Sequence, residues 1–441
     1  MTIRRHGTML SPRALATAAQ LALPFRFAPP QTYHPVSNPD GLISFALASN
    51  ALVLPAVAAV AACTPLREDV FTYGYSTAGG ARLRSALAAH LNLSFNPCFE
   101  ITSEHVQLAS GATAVQHVLA FALASRGEGI LTSRPVYGRF ELDFGNEMGV
   151  EVVYADTTPE NCFDADVVDR FEEAVARAAE RGVKVRAVMI VNPNNPLGRC
   201  YPRETLVEIM KFCGRHRIHL ISDEIYGLSV FSDDLATFTS VLSITPEEGM
   251  IDPDLVHVEY GLAKDFAAPG LRLGALVSRN RALHDAFKSV VRFHSPAGPS
   301  VAIASTMLED RAWHDEFIAL SRGKLKGAYE FATGMLRSLG IGYLEANAGY
   351  FVYTNLGPWL PPKESGTDQE REFALAEKLV EKGMFLHPGE EHCLEPGWFR
   401  VVYSQDEGVV REGMKRIGQA LNDLPWAAPK VSVQGFKVQI T

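Results

Sequence analysis

The chain is poor in cysteine, carries no excess of positive charge and has no long apolar run. Each shortage removes a class of function. Six cysteines occur in 441 residues (Cys63, Cys98, Cys162, Cys200, Cys213 and Cys393), with no C-x-x-C pair and no His-x-x-x-His partner. That spacing speaks against a disulfide framework or a zinc site, so no metal is expected, and the thiols read as reduced and intracellular. Lys and Arg total 41 against 50 Asp and Glu, a net charge of −9. Such an acidic chain is a poor partner for nucleic-acid phosphates, and none is expected. The longest apolar run, Ala51–Cys63, is interrupted by Pro55 and falls short of the roughly 20 residues that span a bilayer. With no basic amphipathic helix either, no membrane association is expected.

Three signatures are missing as well. No G-x-G-x-x-G opens a helix after a strand, and neither G-x-x-x-x-G-K-[ST] nor G-x-S-x-G occurs. Dinucleotide binding, P-loop nucleotide binding and elbow-type serine hydrolysis are thereby set aside.

What is present is ordinary globular material, 47% hydrophobic and 21% charged, of a length that suits one large domain and a smaller one. Short apolar runs alternate with amphipathic stretches. Strands are expected at Val106–Leu108, Gly129–Thr132, Glu151–Tyr154, Ala187–Val191, His219–Ser222, Leu255–Tyr260 and Gly274–Ser278. Helices are expected at Ala114–Ser125, Val136–Met148, Val167–Arg181, Arg203–Arg217 and Arg281–Val291. The alternation predicts an α/β fold with a mostly parallel central sheet sandwiched by helices, its active site at the strands' carboxyl edge. After Trp313 the pattern changes to a long helix, the strands Gly349–Thr354 and Phe399–Tyr403, and two further helices, which predicts a smaller α+β domain. The expected division is 1–66 as an N-terminal arm with part of the small domain, 67–312 as the large domain, 313–425 as the small domain and 426–441 as a tail. The tail reads as a short strand or an unpacked end, and the proline-rich loop Gly357–Thr367 as polar and exposed. No acidic residue precedes Asp40, whereas Arg4, Arg5, Arg13 and Arg26 do. That pattern fits a mitochondrial transit peptide or an arm lying on the protein. The arm is the preferred reading, and a cytoplasmic location the expectation.

Single polar residues at the ends of the apolar strands carry the chemistry. In Tyr260-Gly-Leu-Ala-Lys264, a lysine follows a buried strand, where desolvation lowers its pKa and makes the amine a nucleophile toward an aldehyde. Eight residues on, Arg272 can bind a phosphate through paired N–H donors. Asp223 ends the strand Ile218-His-Leu-Ile-Ser-Asp223; a carboxylate there can keep a pyridine nitrogen protonated, with Tyr226 and Asn195 placed to hold the same ring's phenolic oxygen. The plainer alternatives are a helix cap for Asp223 and a tight turn for Asn195. Ala109-Ser-Gly111-Ala112-Thr113 joins a strand to a helix and offers backbone N–H groups to a phosphate. Tyr137 can stack on a ring or simply pack. Arg400, at the start of an apolar strand, suits an α-carboxylate.

In this order, the segments resemble the fold-type-I pyridoxal-phosphate enzymes, specifically the class I/II aminotransferases and their 1-aminocyclopropane-1-carboxylate (ACC) synthase-like branch. The resemblance runs from Asn38 to Leu421 and is closest to the ACC synthase branch in His387–Arg400 and Ser222–Tyr226. It implies pyridoxal 5′-phosphate as cofactor, Lys264 as the residue of the internal aldimine, and Asp223 at the pyridine nitrogen. Tyr226 and Asn195 are implied at the phenolic oxygen and Tyr137 on the ring. Gly111, Ala112, Thr113 and Arg272 are implied at the phosphate, and Arg400, Asn195 and Ala48 at the substrate. It also implies a homodimer in which Tyr73 or Tyr75 reaches the phosphate of the other subunit. The chain departs from the branch at Ser44 and Ser49, where ACC synthases carry glutamine and glutamate in Gln-Met-Gly-Leu-Ala-Glu-Asn-Gln. It departs again at Gly261 and Ala263, where serines are common. Weakened cofactor affinity is expected from the second pair. The first makes authentic ACC formation a third choice. An aminotransferase acting on an α-amino acid comes first, and a lyase eliminating a sulfur or other leaving group second. A non-catalytic homologue is disfavoured because Lys264, Asp223 and Arg400 are all in place. Phe45, Tyr73 and Tyr75 are candidate aromatic residues of the substrate pocket.

Overall fold

A computed structural model describes residues 10–389 and 392–431. Arg4, Arg5 and the alternating stretch 432–441 lie outside the described residues. Seven strands form the central sheet: β1 (Val106–Ala109), β2 (Gly129–Ser133), β3 (Glu151–Ala155), β4 (Val185–Val191), β5 (His219–Asp223), β6 (Val256–Gly261) and β7 (Gly274–Ser278). Their order across the sheet is β1-β7-β6-β5-β4-β2-β3. The pairs β2–β3, β2–β4, β4–β5 and β5–β6 are parallel, whereas β7 runs antiparallel to both β1 and β6. In β1, β2 and β7 every residue is buried, as expected of strands covered by helices on both faces. All seven strands fall where the sequence places them, with ends differing by a residue or two.

Three hydrophobic cores result among the described residues, one of them, with Val118, Phe140, Met189 and Ile221, against the opposite face of the central sheet. The first fills one side of the sheet and includes Leu131, Val188, Leu220 and Val258. Val53, beside the helix Leu54–Cys63, belongs to it. The second packs a three-stranded antiparallel sheet, β8 (Gly342–Leu344), β9 (Phe351–Asn355) and β10 (Trp398–Val402), against the helices Asp368–Glu381 and Glu407–Asn422. One helix, Arg311–Leu339, serves these last two. Its Phe317 and Ile318 sit in the first core and its Leu325 and Leu336 in the second. At 29 residues it is about 43 Å long.

Three expectations are corrected. Helix occupies only Phe140–Gly145 of the stretch Val136–Met148: residues 136–139 stay non-helical and residues 146–148 form a turn. The loop Gly357–Thr367 is not exposed throughout; Trp359, Leu360 and Pro361 are buried. Trp359 Nε1 donates to the Pro429 carbonyl at 2.8 Å, and Trp426 Nε1 returns a bond to the Trp359 carbonyl at 2.9 Å. Residues 426–431 are therefore packed without forming a strand. The N-terminal arm lies on the rest of the chain: Ile43–Ser44 pairs in parallel with Met384–Phe385, and the Phe25 ring lies 5.1 Å from that of Phe373. Among the described residues, no helix is long and apolar enough to cross a membrane.

Candidate active site

The strand directions gather the site. Strands β1, β4, β5 and β6 end at one edge of the sheet, and β7, being antiparallel, begins there. The turns Ser110–Thr113, Asn192–Asn195 and Leu262–Lys264, the residues after Asp223, and Arg272 just before β7 are thus brought to a common wall. Along it lies a cavity of about 480 Å³, within the ~300–1,000 Å³ of small-molecule sites. Its lining contains Lys264, Asp223, Tyr226, Asn195, Tyr137, Ala112, Thr113, Arg272, Arg400 and Ala48.

Lys264 is partly buried, and its Nζ donates to the Ala48 carbonyl at 2.5 Å. Burial first, and then the Arg400 charge, lower its pKa from 10.5 to about 8, against the opposing pull of Asp223. The amine is therefore far more available near neutrality than an exposed lysine. Asp223 is 3% exposed and accepts the Ile225 backbone N–H at 3.1 Å. Burial raises its pKa, and a cation brought against it would favour the carboxylate again. Glu259 pairs with Asp223 in register across β5 and β6 and receives Gln116 Nε2 at 3.2 and 3.1 Å. Burial raises Glu259 too, and Asp223 adds to it. Tyr226 is 1% exposed, with the Lys264 ammonium 5.7 Å from its ring centre.

The turn after β1 is shaped for a phosphate. Gly111 adopts φ +102°, and a Cβ there would lie 2.6 Å from Arg272 Nη2. A Cβ on Gly274 would lie 2.3 Å from the Gly111 carbonyl carbon and 2.6 Å from Ala112 N. Glycine at both positions lets the start of the helix Ala112–Leu123 and the Arg272 guanidinium close on one small space, with helix N–H groups and a cation facing it. An amine of lowered pKa, a buried carboxyl and this cradle fit the aldehyde, pyridine nitrogen and phosphate of pyridoxal 5′-phosphate. Gly261 and Ala263 also line the cavity, so the hydroxyls missing there are missing at the site itself. A Cβ at Gly261 would stand 2.7 Å from the Leu273 carbonyl oxygen.

Arg400 is 6% exposed. It donates to Asn195 Oδ1 at 2.8 Å and to the Ala46 carbonyl at 2.7 Å, and lies 5.6 Å from the Phe351 ring centre. With Oδ1 so engaged, Asn195 keeps its amide N–H groups as donors. Ser49 lines the cavity and Ser44 does not. Phe45, a candidate for the pocket, is fully buried in the second core against Gly413. It alternates with Ser44 along the strand segment, so the two side chains point opposite ways. Tyr73 is 97% exposed, and neither it nor Tyr75 is part of the cavity lining of its own chain.

Sequence reasoning missed Phe27, Ala28, Gln116, Arg139 and His387 on the cavity wall. Arg139 donates to the Arg26 carbonyl, meets His387 Nε2 at 3.0 Å and stacks 5.5 Å from the Phe27 ring centre. The arm thereby becomes part of the pocket. Its one sequence signal was the aromatic pair Phe25 and Phe27 in a stretch otherwise read as an extension.

Residues 45–417 match the family described as aminotransferase class I and II. The chain belongs to that family, in its ACC synthase-like branch. The 1-aminocyclopropane-1-carboxylate synthase 6 of Oryza sativa subsp. japonica is 30% identical over 390 residues, covering 84% of this chain and 71% of that protein. The human 1-aminocyclopropane-1-carboxylate synthase-like protein 1 is 33% identical over 350 residues, covering 77% and 68%. The fold is that of the Thermus thermophilus aspartate aminotransferase solved with maleate, at a TM-score of 0.71 and 22% identity over 93% of this chain and 99% of that one. The family uses pyridoxal 5′-phosphate, and this member is a pyridoxal-phosphate-dependent enzyme.

Proposed function

We propose that this protein is an aminotransferase that moves an amino group between an α-amino acid and a 2-oxo acid. The observation that carries the reading is the make-up of the cavity wall. It offers one amine of lowered pKa, and Asp223 is the sole carboxyl group among the described lining residues. Transamination needs a single group that takes the proton from the substrate's α-carbon and returns it at a neighbouring atom, which Lys264 does from one position. Bound pyridoxal phosphate supplies the electron-withdrawing ring that makes this proton removable. Asp223 holds a proton at the pyridine nitrogen. Tyr226 and Asn195 donate to the phenolic oxygen, Tyr137 covers the ring, and Thr113, Arg272 and the N–H groups after Gly111 hold the phosphate. Arg400 binds the substrate carboxylate and fixes which α-substituent faces Lys264.

A lyase is the second reading, and the ACC synthase-like relatives favour it. Elimination at the substrate side chain is helped by a second acid to protonate the leaving group, and the described wall carries no spare carboxyl for that role. We further propose a homodimer, supported by the almost complete exposure of Tyr73, with Tyr73 or Tyr75 of each chain completing the phosphate site of the other. The test is to give the cofactor-loaded enzyme a panel of amino acids with and without a 2-oxo acid acceptor. Transamination yields a new amino acid from the acceptor and no ammonia. Ammonia released without an acceptor would replace this reading by the lyase.

A further inference from the structure

Behind the wall that carries Lys264, five side chains touch in series. Asp265 directly follows the lysine, and its Oδ2 lies 3.1 Å from Tyr260 Oη. Tyr260 Oη lies 3.1 Å from His90 Nε2, and His90 Nδ1 lies 3.1 Å from His314 Nε2. His314 Nδ1 meets Asp315 Oδ1 at 2.8 Å. Asp265, Tyr260, His90 and His314 are between 0% and 3% exposed, whereas the Asp315 side chain is 58% exposed. The string therefore begins beside the reactive amine and ends in water.

Counting hydrogens fixes what it can do. Tyr260 has one proton and stands between two groups. If Asp265 is a neutral carboxyl, every contact is satisfied in one direction: Asp265 donates to Tyr260, Tyr260 to His90 Nε2, His90 Nδ1 to His314 Nε2, and His314 Nδ1 to Asp315. If Asp265 is a carboxylate, every donor reverses as far as His314, which must then be doubly protonated to keep its bond to Asp315. Both arrangements hold the same number of protons. They interconvert when the Asp265 proton passes to Tyr260 Oη, the Tyr260 proton to His90 Nε2, and the His90 Nδ1 proton to His314 Nε2. A carboxylate and an imidazolium replace two neutral groups, and no proton is gained or lost.

We infer that Asp265, Tyr260, His90 and His314 form a one-proton relay by which the surface at Asp315 sets the charge beside Lys264. They are positioning residues, since none lines the cavity. The neutral arrangement is the resting one. Burial raises the Asp265 carboxyl to about 8 and lowers His90 to about 3, and Asp265 Oδ1 is buried with no hydrogen-bond partner, which a carboxyl tolerates better than a carboxylate. The charged and titratable neighbours are few. Arg311 faces both histidines and pairs with Asp315 at 2.8 Å. Arg322 faces His314 and Asp265, and Tyr226 and Tyr350 face Asp265. Tyr350 also donates to the Lys264 carbonyl, and the Leu228 N–H donates to Asp265 Oδ2 at 2.9 Å. A negative charge at Asp265 thus acts on a cavity tyrosine and on the turn that carries the lysine. The link to catalysis rests on Lys264 being the cofactor-bearing amine; the relay itself does not.

The test uses the full chain with ¹⁵N-labelled histidine, first without cofactor. At neutral pH, His90 and His314 should both carry the proton on Nδ1 and leave Nε2 bare. A second proton on His314 would set two donors against each other. Tyr260→Phe frees His90 to change tautomer, so the His314 midpoint should rise, by about 0.7 pH unit, the worth of a typical hydrogen bond. An unchanged His314 midpoint, or a neutral His314 beside a His90 protonated on Nε2, overturns the relay. In the cofactor-loaded protein, Asp315→Asn should lower the pH midpoint of the visible absorbance by about 0.3 pH unit, because the charged arrangement loses its anchor. That shift should vanish in the Tyr260→Phe background. Its persistence there would show a field effect of Asp315 through space and overturn the relay. A protein with no visible absorbance at all would refute the functional reading, while the histidine spectra would still decide the relay.

Discussion

Replacing Lys264 by methionine should make the cofactor-free protein more stable while removing its chemistry. The amine falls from 10.5 to about 8 on folding, through burial first and the Arg400 charge second. At about 1.4 kcal/mol per pH unit, holding that lysine in the folded wall costs about 3 kcal/mol at pH 7. Methionine fills nearly the same volume and carries no charge. It forfeits the hydrogen bond to the Ala48 carbonyl, worth about 1 kcal/mol, which leaves a net gain of about 2 kcal/mol. The sign with pH follows from proton counts. Between about 8 and 10.5 the unfolded lysine holds more protons than the folded one, so the penalty shrinks as pH rises and is gone once both states are neutral. Urea denaturation of the cofactor-free wild type and Lys264→Met at pH 7 and at pH 10.5 measures this. The variant should be ahead at pH 7, and its lead should disappear at the higher pH. A variant that is weaker at pH 7, or a difference that does not change with pH, would show that the amine is not held at a strained protonation equilibrium. The nucleophile assignment would then lose its physical support. The same variant should show no visible absorbance after addition of the cofactor.

Two further substitutions probe the ends of the cavity. Arg400→Gln removes a charge-assisted pair for the substrate carboxylate and should lower kcat/KM for amino acids by about 10²–10⁴, leaving primary amines without a carboxylate much less affected; an equal loss for both would make Arg400 a packing residue. Because Arg400 also lowers the Lys264 pKa, the pH at which the amine becomes reactive toward added cofactor should rise in this variant, and an unchanged midpoint would show that the Arg400 charge does not act on the amine. Gly111→Ala places a methyl 2.6 Å from Arg272 Nη2 at φ +102°, so the dissociation constant for the cofactor should rise by about tenfold or more, with secondary structure by circular dichroism unchanged. Cofactor binding as tight as in the wild type would remove Gly111 and Arg272 from the phosphate cradle.

Much of the wall was legible in the chain because of how parallel sheets are built. A strand buried on both faces reads as a continuous apolar run, and the first polar residue after it falls at the carboxyl edge. Asp223 and Lys264 follow such runs directly, and Asn195 does so after a short turn. Arg272 is the mirror case: β7 runs the other way, so the residues leading into it reach the same edge. These positions follow from local sequence and one topological rule. Arg400 was visible for a different reason, as a lone cation within an apolar strand.

What the sequence by itself determined, then, is the sheet, its strand ends and the polar residues that those ends carry. Only the tertiary structure decided what closes the cavity and what stands behind it. Phe27 reaches the pocket because Phe25 packs on Phe373 and Phe385 and Arg139 holds the Arg26 carbonyl, while Ile43–Ser44 docks on Met384–Phe385, a pairing two residues long that no periodicity announces. Phe45 went to a core because the same short strand turns alternate side chains apart. His90 and His314 are separated by 224 positions yet touch, because the helix Arg311–Leu339 crosses from the first core to the second and passes the helix Ala81–Ser94. Strand and helix patterns arise from neighbours along the chain. A contact between distant polar side chains depends on how whole elements pack, which hydrophobic burial fixes without regard to the polar residues carried along.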